Sequence, residues 1–255
     1  MRVKHKQSRL MRKIHVGTSG WSYRHWAGLF YPENLSSNQY LSYYAERFSA
    51  VEVNSMFYHL PDRRTLTAWR DQTPEGFVFA CKASRYITHF KKLRDPEASL
   101  VRFFNAIDVL GEKRGPVLFQ LPPRWHVNVQ RLADFLSVRP TWYRCVFEFR
   151  DESWFTTDVY DLLEKHRVAT CFYDLKGHVS PLKATGEFVY VRLHGPDGPY
   201  RGQYPRRTLA EWADRLITWQ GEGKEAFCFF NNDERGSAAK DAQHILGMIE
   251  QASEN

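Results

Sequence analysis

Apolar runs in this 255-residue sequence repeatedly end on polar side chains suited to acid–base or anion-binding chemistry. Val51–Asn54 carries Glu52 and Asn54, Phe77–Ala83 carries Lys82, and Pro116–Leu121 carries Gln120. Arg144–Phe149 carries Glu148 and is followed by Arg150, and Val168–Tyr173 is followed by Asp174. Glu187–His194 carries Arg192 and His194, and Ala226–Phe230 runs into Asn231 and Asn232. Histidine titrates near neutral pH and buried carboxylates or lysines shift toward it, so Glu148, His194, Lys82 and His89 are the candidate catalytic groups. Lys82, Arg150 and Arg192 would bind or neutralise an anion. A glycosidase-like pair, Glu52 with Glu148, is a further possibility, open until their separation is known. No cofactor is expected. A divalent metal on Glu148, Asp174 and His194 is possible, but the spacing of those residues is not that of a known metal motif.

These runs are strand-like, and helical patterns separate them. The spacing predicts strands at Ile14–Thr18, Val51–Asn54, Phe77–Ala83, Pro116–Leu121, Arg144–Phe149, Val168–Tyr173, Glu187–His194 and Ala226–Phe230. Helices are predicted near 38–48, 63–72, 95–110, 129–137, 156–166, 208–217 and 237–251. Asp95 with Pro96, and Thr208 with Glu211, read as helix starts. The connection 175–186 is too short and broken for a helix. Eight strand–helix units imply a single α/β domain, a (β/α)8 TIM-like barrel of eight parallel strands with the sixth helix missing or reduced.

In such a barrel alternate strand residues point inward, and helix-facing positions must be apolar. The polar residues named above are therefore assigned inward, at the carboxyl ends of the strands, where barrel sites are built. The alternative is structural: Glu52, Glu148 and Asp174 against Lys82, Arg150 and Arg192 form a paired network that only closes the barrel top. Loop residues Ser19, Trp21, Tyr58, Trp154, Tyr200 and Tyr204 are assigned as walls of the ligand site. The glycines 195, 198 and 202, and the helix beginning near Gly236, offer a phosphate cradle or an ordinary turn and cap.

Composition narrows the partners. The formal charge is +7, but residues 1–13 hold six basic side chains and no acidic one. Without those six, 30 basic residues face 29 acidic ones, so the body gives no electrostatic case for nucleic acid. Domain organisation is read as a basic, disordered N-terminal tail over 1–13 and a barrel over 14–255. The expected partner is a small polar or anionic molecule. Nucleic acid is a weak alternative through the tail, and no oligomeric state follows. Cys81, Cys145, Cys171 and Cys228 lie in apolar runs without C-x-x-C spacing and are expected buried and reduced, at opposite parity to the polar residues. Neither a membrane span nor a signal peptide is visible, so a cytoplasmic location is expected.

An ordered set of motifs resembles the domain of unknown function 72 (YecE-like) family. They are I-x-V-G-T-S-G-W at Ile14–Trp21, Y-x-x-W at Tyr23–Trp26, and V-E-V-N-S-x-F-Y at Val51–Tyr58. Lys82 with Thr88 and His89, L-F-Q-L-P-P at Leu118–Pro123 and F-E-F-R-x-x-S-W at Phe147–Trp154 follow. Y-V-R-L-H-G at Tyr190–Gly195, Y-R-G-x-Y at Tyr200–Tyr204, and F-N-N-D with G-x-A-x-x-D-A at Phe230–Ala242 complete the set. The resemblance implies a TIM-like barrel with its site at the strand carboxyl ends, and supplies no reaction. Met56 stands where the family pattern leads one to expect a small polar residue.

Overall fold

The computed structural model describes residues 13–254. The tail predicted over 1–13 therefore lies, but for Lys13, outside the described residues. Eight parallel strands form the sheet: β1 Ile14–Thr18, β2 Ala50–Val53, β3 Val78–Lys82, β4 Arg114–Gln120, β5 Cys145–Glu148, β6 Ala169–Leu175, β7 Phe188–Leu193 and β8 Glu225–Phe230. Seven helices pack around them: α1 Tyr40–Ala45, α2 Arg63–Asp71, α3 Glu97–Ile107, α4 Val129–Val138, α5 Thr157–Lys165, α6 Arg206–Gly221 and α7 Ser237–Glu254. Between β6 and β7 there is no helix. The missing helix matches the broken pattern of this stretch, and a two-residue strand not expected from the sequence, His178–Val179, folds back antiparallel on β6 in its place.

Two helix starts differ from expectation. α3 begins at Glu97 with Pro96 before it and no capping side chain, because Asp95 sits at φ 41° and is turned away from the cap role. α6 begins at Arg206, two residues before Thr208, so Thr208 and Glu211 lie inside the helix and form no capping box.

The parallel ladder runs continuously from β1 through β8 and back round the sheet to β2. Among the described residues no backbone ladder joins β2 to β1. That seam is bridged by the phenol of Tyr44 on α1. Its oxygen accepts the Thr18 N–H at 2.8 Å and donates to the Ala50 carbonyl at 3.0 Å. The two strands pass so closely that a Cβ on Gly17 would lie 1.9 Å from the Ala50 oxygen. Gly17 is therefore required by close backbone approach, not by a special turn.

Inside the barrel the apolar set is Ala50, Ala80, Leu118, Val146, Ala169, Cys171, Phe188, Tyr190, Phe227 and Phe229. His15 stacks on Phe227 at 4.9 Å and pairs with Glu225 at 2.9 Å, filling the amino-terminal end. The outer faces of the strands and the helices share a second, larger core.

Two substitutions test the seam. Tyr44→Phe leaves the Thr18 N–H and the Ala50 carbonyl without that buried partner, and should lower unfolding stability by about 1–3 kcal/mol. Gly17→Ala should cost more, since backbone must move apart. Urea unfolding of both variants reads this out, and a wild-type midpoint for Gly17→Ala would show that the seam is loose.

Candidate functional site

The barrel mouth is built on Arg192. β7 carries it inward beside Tyr190, and it is 1 % exposed. Its Nη2 and Nε bind Glu52 Oε1 at 2.8 and 3.2 Å, and its Nη1 binds Glu148 Oε2 at 2.6 Å. The Tyr190 hydroxyl donates to the other Glu52 oxygen at 2.7 Å. Arg150, just beyond β5, donates through Nε to Glu148 Oε1. Every carboxylate oxygen in this cluster thus has a partner. Burial alone would raise the Glu148 carboxyl, but the two guanidiniums outweigh it and hold it well below the usual carboxylate range. Glu148 stays ionised and acts as the anchor of two arginines, which leaves it unsuited to the proton-moving role expected of it.

His194 continues the chain of contacts. Arg150 Nη2 lies 2.6 Å from its Nε2. Guanidinium can only donate, so Nε2 accepts and the ring hydrogen sits on Nδ1. The Asn231 amide lies 3.1 Å from Nδ1 and, turned with its oxygen inward, accepts that hydrogen. Burial, and then Arg192 and Arg150, push the imidazole well below its usual range, so it is neutral. With both nitrogens engaged, His194 positions Arg150 and does not shuttle protons as the sequence suggested.

Lys82 is different. It points inward from β3, yet its ammonium forms no ion pair or hydrogen bond among the described residues and rests 4.3 Å over the Phe57 ring. Burial, and the nearby Arg192 and Arg150 against Glu148 and Glu52, lower it to about 8. His89 flanks the same Phe57 ring at 4.9 Å, with Nδ1 held by the Thr88 hydroxyl at 2.9 Å. Burial and then Lys82 lower this imidazole to about 4, so it too is neutral. Ser19 and Asn54 complete the floor: the Ser19 hydroxyl and Asn54 Oδ1 are buried without a partner among the described residues. Tyr200, half exposed, stands 5.9 Å from the His194 ring as a rim. Gln120 ends β4 with partial exposure, at inward parity with Leu118. Tyr58 is 69 % exposed on the outer rim and lies under Arg85.

Several expected site residues lie elsewhere. Asp174 faces the helix layer, where it accepts the Gly177 N–H at 3.1 Å and meets Trp212 and Arg215 of α6. The inward residues of β6 are instead Cys171 and Tyr173: Cys171 sits 3.7 Å from Glu148, against the parity expected for the cysteines, and the Tyr173 ring lies under Arg150 at 4.7 Å. Asn232 points outward to Asp241 and the Gly202 carbonyl, both at 2.8 Å. Tyr204 is buried and accepts the Gly195 N–H at 2.9 Å, so it braces the β7–α6 loop. Trp21 is packed edge-on against Trp69, and Trp154 is stacked on Phe149 with its N–H on the Trp125 carbonyl. Both indoles are packing, not walls. Met56 is fully buried and has no rim role. The metal set is not assembled, since Asp174 is outside the barrel and the Glu148 oxygens are held by arginines. Among the described residues no group of three or more His, Cys, Asp or Glu side chains could hold a metal ion. Glu52 and Glu148 share one guanidinium in a fully buried cluster, which leaves no room for a glycosidic bond between them.

Sequence reasoning placed Phe57 at the rim but missed Tyr190, Tyr173 and Cys171 as members of the mouth. Inward parity with Arg192 would have found Tyr190. The others carry no polar signal in their runs.

A (β/α)8 barrel with a buried arginine–carboxylate cluster under a partly open cationic mouth is the class these features define. The chain belongs to the DUF72 family of proteins of unknown function, whose model matches residues 15–255. It is 28% identical to the UPF0759 protein YunF of Bacillus subtilis over 270 aligned positions, covering 93% of this chain and 95% of that protein. It is 29% identical to YecE of Escherichia coli over 143 positions, 56% of this chain and 50% of YecE. The crystal structure of a DUF72 protein from Thermotoga maritima superposes with a TM-score of 0.85 at 28% identity, over 93% of this chain and 99% of that one. No helix among the described residues is long and apolar enough to cross a membrane.

The two charged anchors predict opposite stability effects. Glu148→Gln strands two buried guanidiniums and should cost about 3–5 kcal/mol. The depressed Glu148 pKa means that its contribution is present above the unfolded carboxylate range and is lost as pH falls through the folded value. Lys82 is depressed as well, but as a base: its folded form binds the proton less tightly than the unfolded chain does. Its cost is in full force below pH 8 and disappears as pH rises from about 8 to 10.5. Lys82→Met should therefore stabilise the protein at pH 7 by about 3 kcal/mol, and the gain should vanish by pH 10.5. Urea unfolding at several pH values measures both, and a destabilised Lys82→Met would contradict this account.

Proposed function

We propose that the barrel mouth binds a small anionic metabolite, such as a phosphorylated or carboxylated compound, and performs acid–base chemistry on it. One observation carries this reading. Three cationic side chains, Lys82, Arg150 and Arg192, meet only two carboxylates, and the neutral histidines do not change that balance. The surplus positive charge resides on Lys82, the group without a protein anion partner. An anion entering the mouth would supply that counter-charge in a low-dielectric site. In this reading Lys82 and Arg150 contact the ligand, and His89 and Lys82 exchange protons with it. Glu148 and His194 hold Arg150, while Arg192 and Glu52 form the base. The unpartnered Ser19 and Asn54 atoms accept or donate hydrogen bonds to the ligand's polar groups.

A second reading is favoured by one surface feature. Between β3 and α3, Tyr86 and Phe90 are exposed beside Tyr58, and Arg85 lies 5.4 Å over Tyr58 and 5.2 Å over Phe90. Such interleaving of arginine and open rings suits stacked bases of a nucleotide or single-stranded nucleic acid. A cleft of about 470 Å³ adjoins it, lined among others by Tyr58, Ser84, Tyr86 and Arg102. This reading requires affinity for single-stranded oligonucleotides that falls steeply with salt and is lost in Arg85→Ala.

A thermal-shift series separates the readings. Inorganic phosphate, sugar phosphates and small carboxylates should raise the wild-type midpoint, with stabilisation up to about 2.7 kcal/mol at a hundredfold excess over Kd. Neutral sugars should not, and Lys82→Met should lose the response. Equal shifts in wild type and Lys82→Met, or no shift with any anion, would overturn the anion site.

A further inference from the structure

We propose that Lys82 is a nucleophilic amine that forms an imine with a small 2-oxo carboxylate held at the barrel mouth. This deepens the anion-binding reading and rests on it. Most charged groups at the mouth are already engaged with one another. Both Glu52 oxygens and both Glu148 oxygens are taken by Arg192, Tyr190 and Arg150. Among the described residues neither carboxylate forms an ion pair with the Lys82 ammonium. Its Nζ has an aromatic ring beneath it and no hydrogen-bond partner among the described residues, so on losing a proton its lone pair is not committed to another group. A lysine desolvated beside two guanidiniums is the arrangement that liberates a neutral amine.

The groups around it match the other needs of imine formation. Arg150 uses Nε on Glu148 and Nη2 on His194, which leaves Nη1 to face a ligand carboxylate. His89 is neutral and flanks the same Phe57 ring as Lys82. The Thr88 hydroxyl also lies 3.3 Å from the Ser84 carbonyl. When it donates there, His89 Nδ1 carries the ring hydrogen and Nε2 offers a free lone pair. The step balances without any further reactant. The Lys82 lone pair forms a bond to the carbonyl carbon, and the carbonyl electron pair moves to oxygen, which takes a proton. The carbinolamine nitrogen loses a proton, and a second proton on the oxygen lets water depart as the C=N bond forms. Starting from the ammonium, the net change is ammonium plus ketone giving protonated imine plus water. His89 is placed to carry protons between nitrogen and oxygen.

The structure also predicts selectivity. The lowering of Lys82 to about 8 gives on the order of a hundredfold more neutral amine at pH 7 than an ordinary lysine has. Lower basicity offsets part of that advantage.

The test is reductive trapping of the full chain with pyruvate or glyoxylate and sodium borohydride at pH 7, read by intact mass and peptide mapping. Hydride adds to the imine carbon and fixes the ligand as a secondary amine. We expect a single adduct on the Lys82 peptide, exceeding that on the exposed Lys176 and Lys183 by on the order of tenfold or more. Inorganic phosphate should suppress it, and Lys82→Arg should abolish it. An adduct spread evenly over surface lysines overturns the proposal. A thermal shift with pyruvate and no adduct overturns the imine but leaves the anion site standing. Neither shift nor adduct overturns both.

Discussion

Arg192 holds the top of this barrel together. It lies 1 % exposed between two carboxylates that are themselves fully buried. Removing one guanidinium from water costs several kcal/mol, and each carboxylate costs as much again. The cost is met only because every oxygen is hydrogen-bonded in a fixed geometry. Once Arg192 is fixed, Glu52 of β2 and Glu148 of β5 are tied across the barrel to β7. That tie brings opposite sides of the sheet to one point, while the Tyr44 phenol closes the seam between β1 and β2 from outside.

The same tie decides the electrostatics above it. Glu148 can anchor Arg150 because Arg192 takes only one of its oxygens. Arg150 then sets the tautomer of His194, and Asn231 meets the remaining nitrogen. Negative charge is thus consumed below, and the mouth is left cationic and neutral. The unpartnered Lys82 ammonium sits above a layer in which every carboxylate oxygen is hydrogen-bonded.

Much of this was legible in the sequence. Strict alternation inside the runs placed Glu52, Lys82, Glu148, Arg192 and His194 on one face, and their position at the strand carboxyl ends placed them at the mouth. The rule failed at Asp174 because it assumed that helix-facing positions are apolar. At a strand end beside a turn, a carboxylate can be satisfied by a turn N–H such as that of Gly177 and by helix side chains such as Trp212. The same local freedom turned Asn232 to Asp241 while Asn231 pointed inward. Indoles carried no directional signal. Trp21 and Trp154 follow strands just as wall residues would, and only packing on Trp69 and Phe149 fixes them as core. Which charges pair and which stay open was beyond any pattern, since it depends on the counting of oxygen atoms in three dimensions.

That counting separates fully partnered charges from unpartnered ones. A charge retained for the fold should resemble Glu148: buried, fully partnered, and costly to remove. Lys82 has the opposite character. It is largely desolvated, has no ion-pair partner among the described residues, and lies at the carboxyl end of the barrel, where burial lowers its pKa. In the anion-binding reading proposed above, a ligand bringing negative charge to the mouth would offset the cost of that burial.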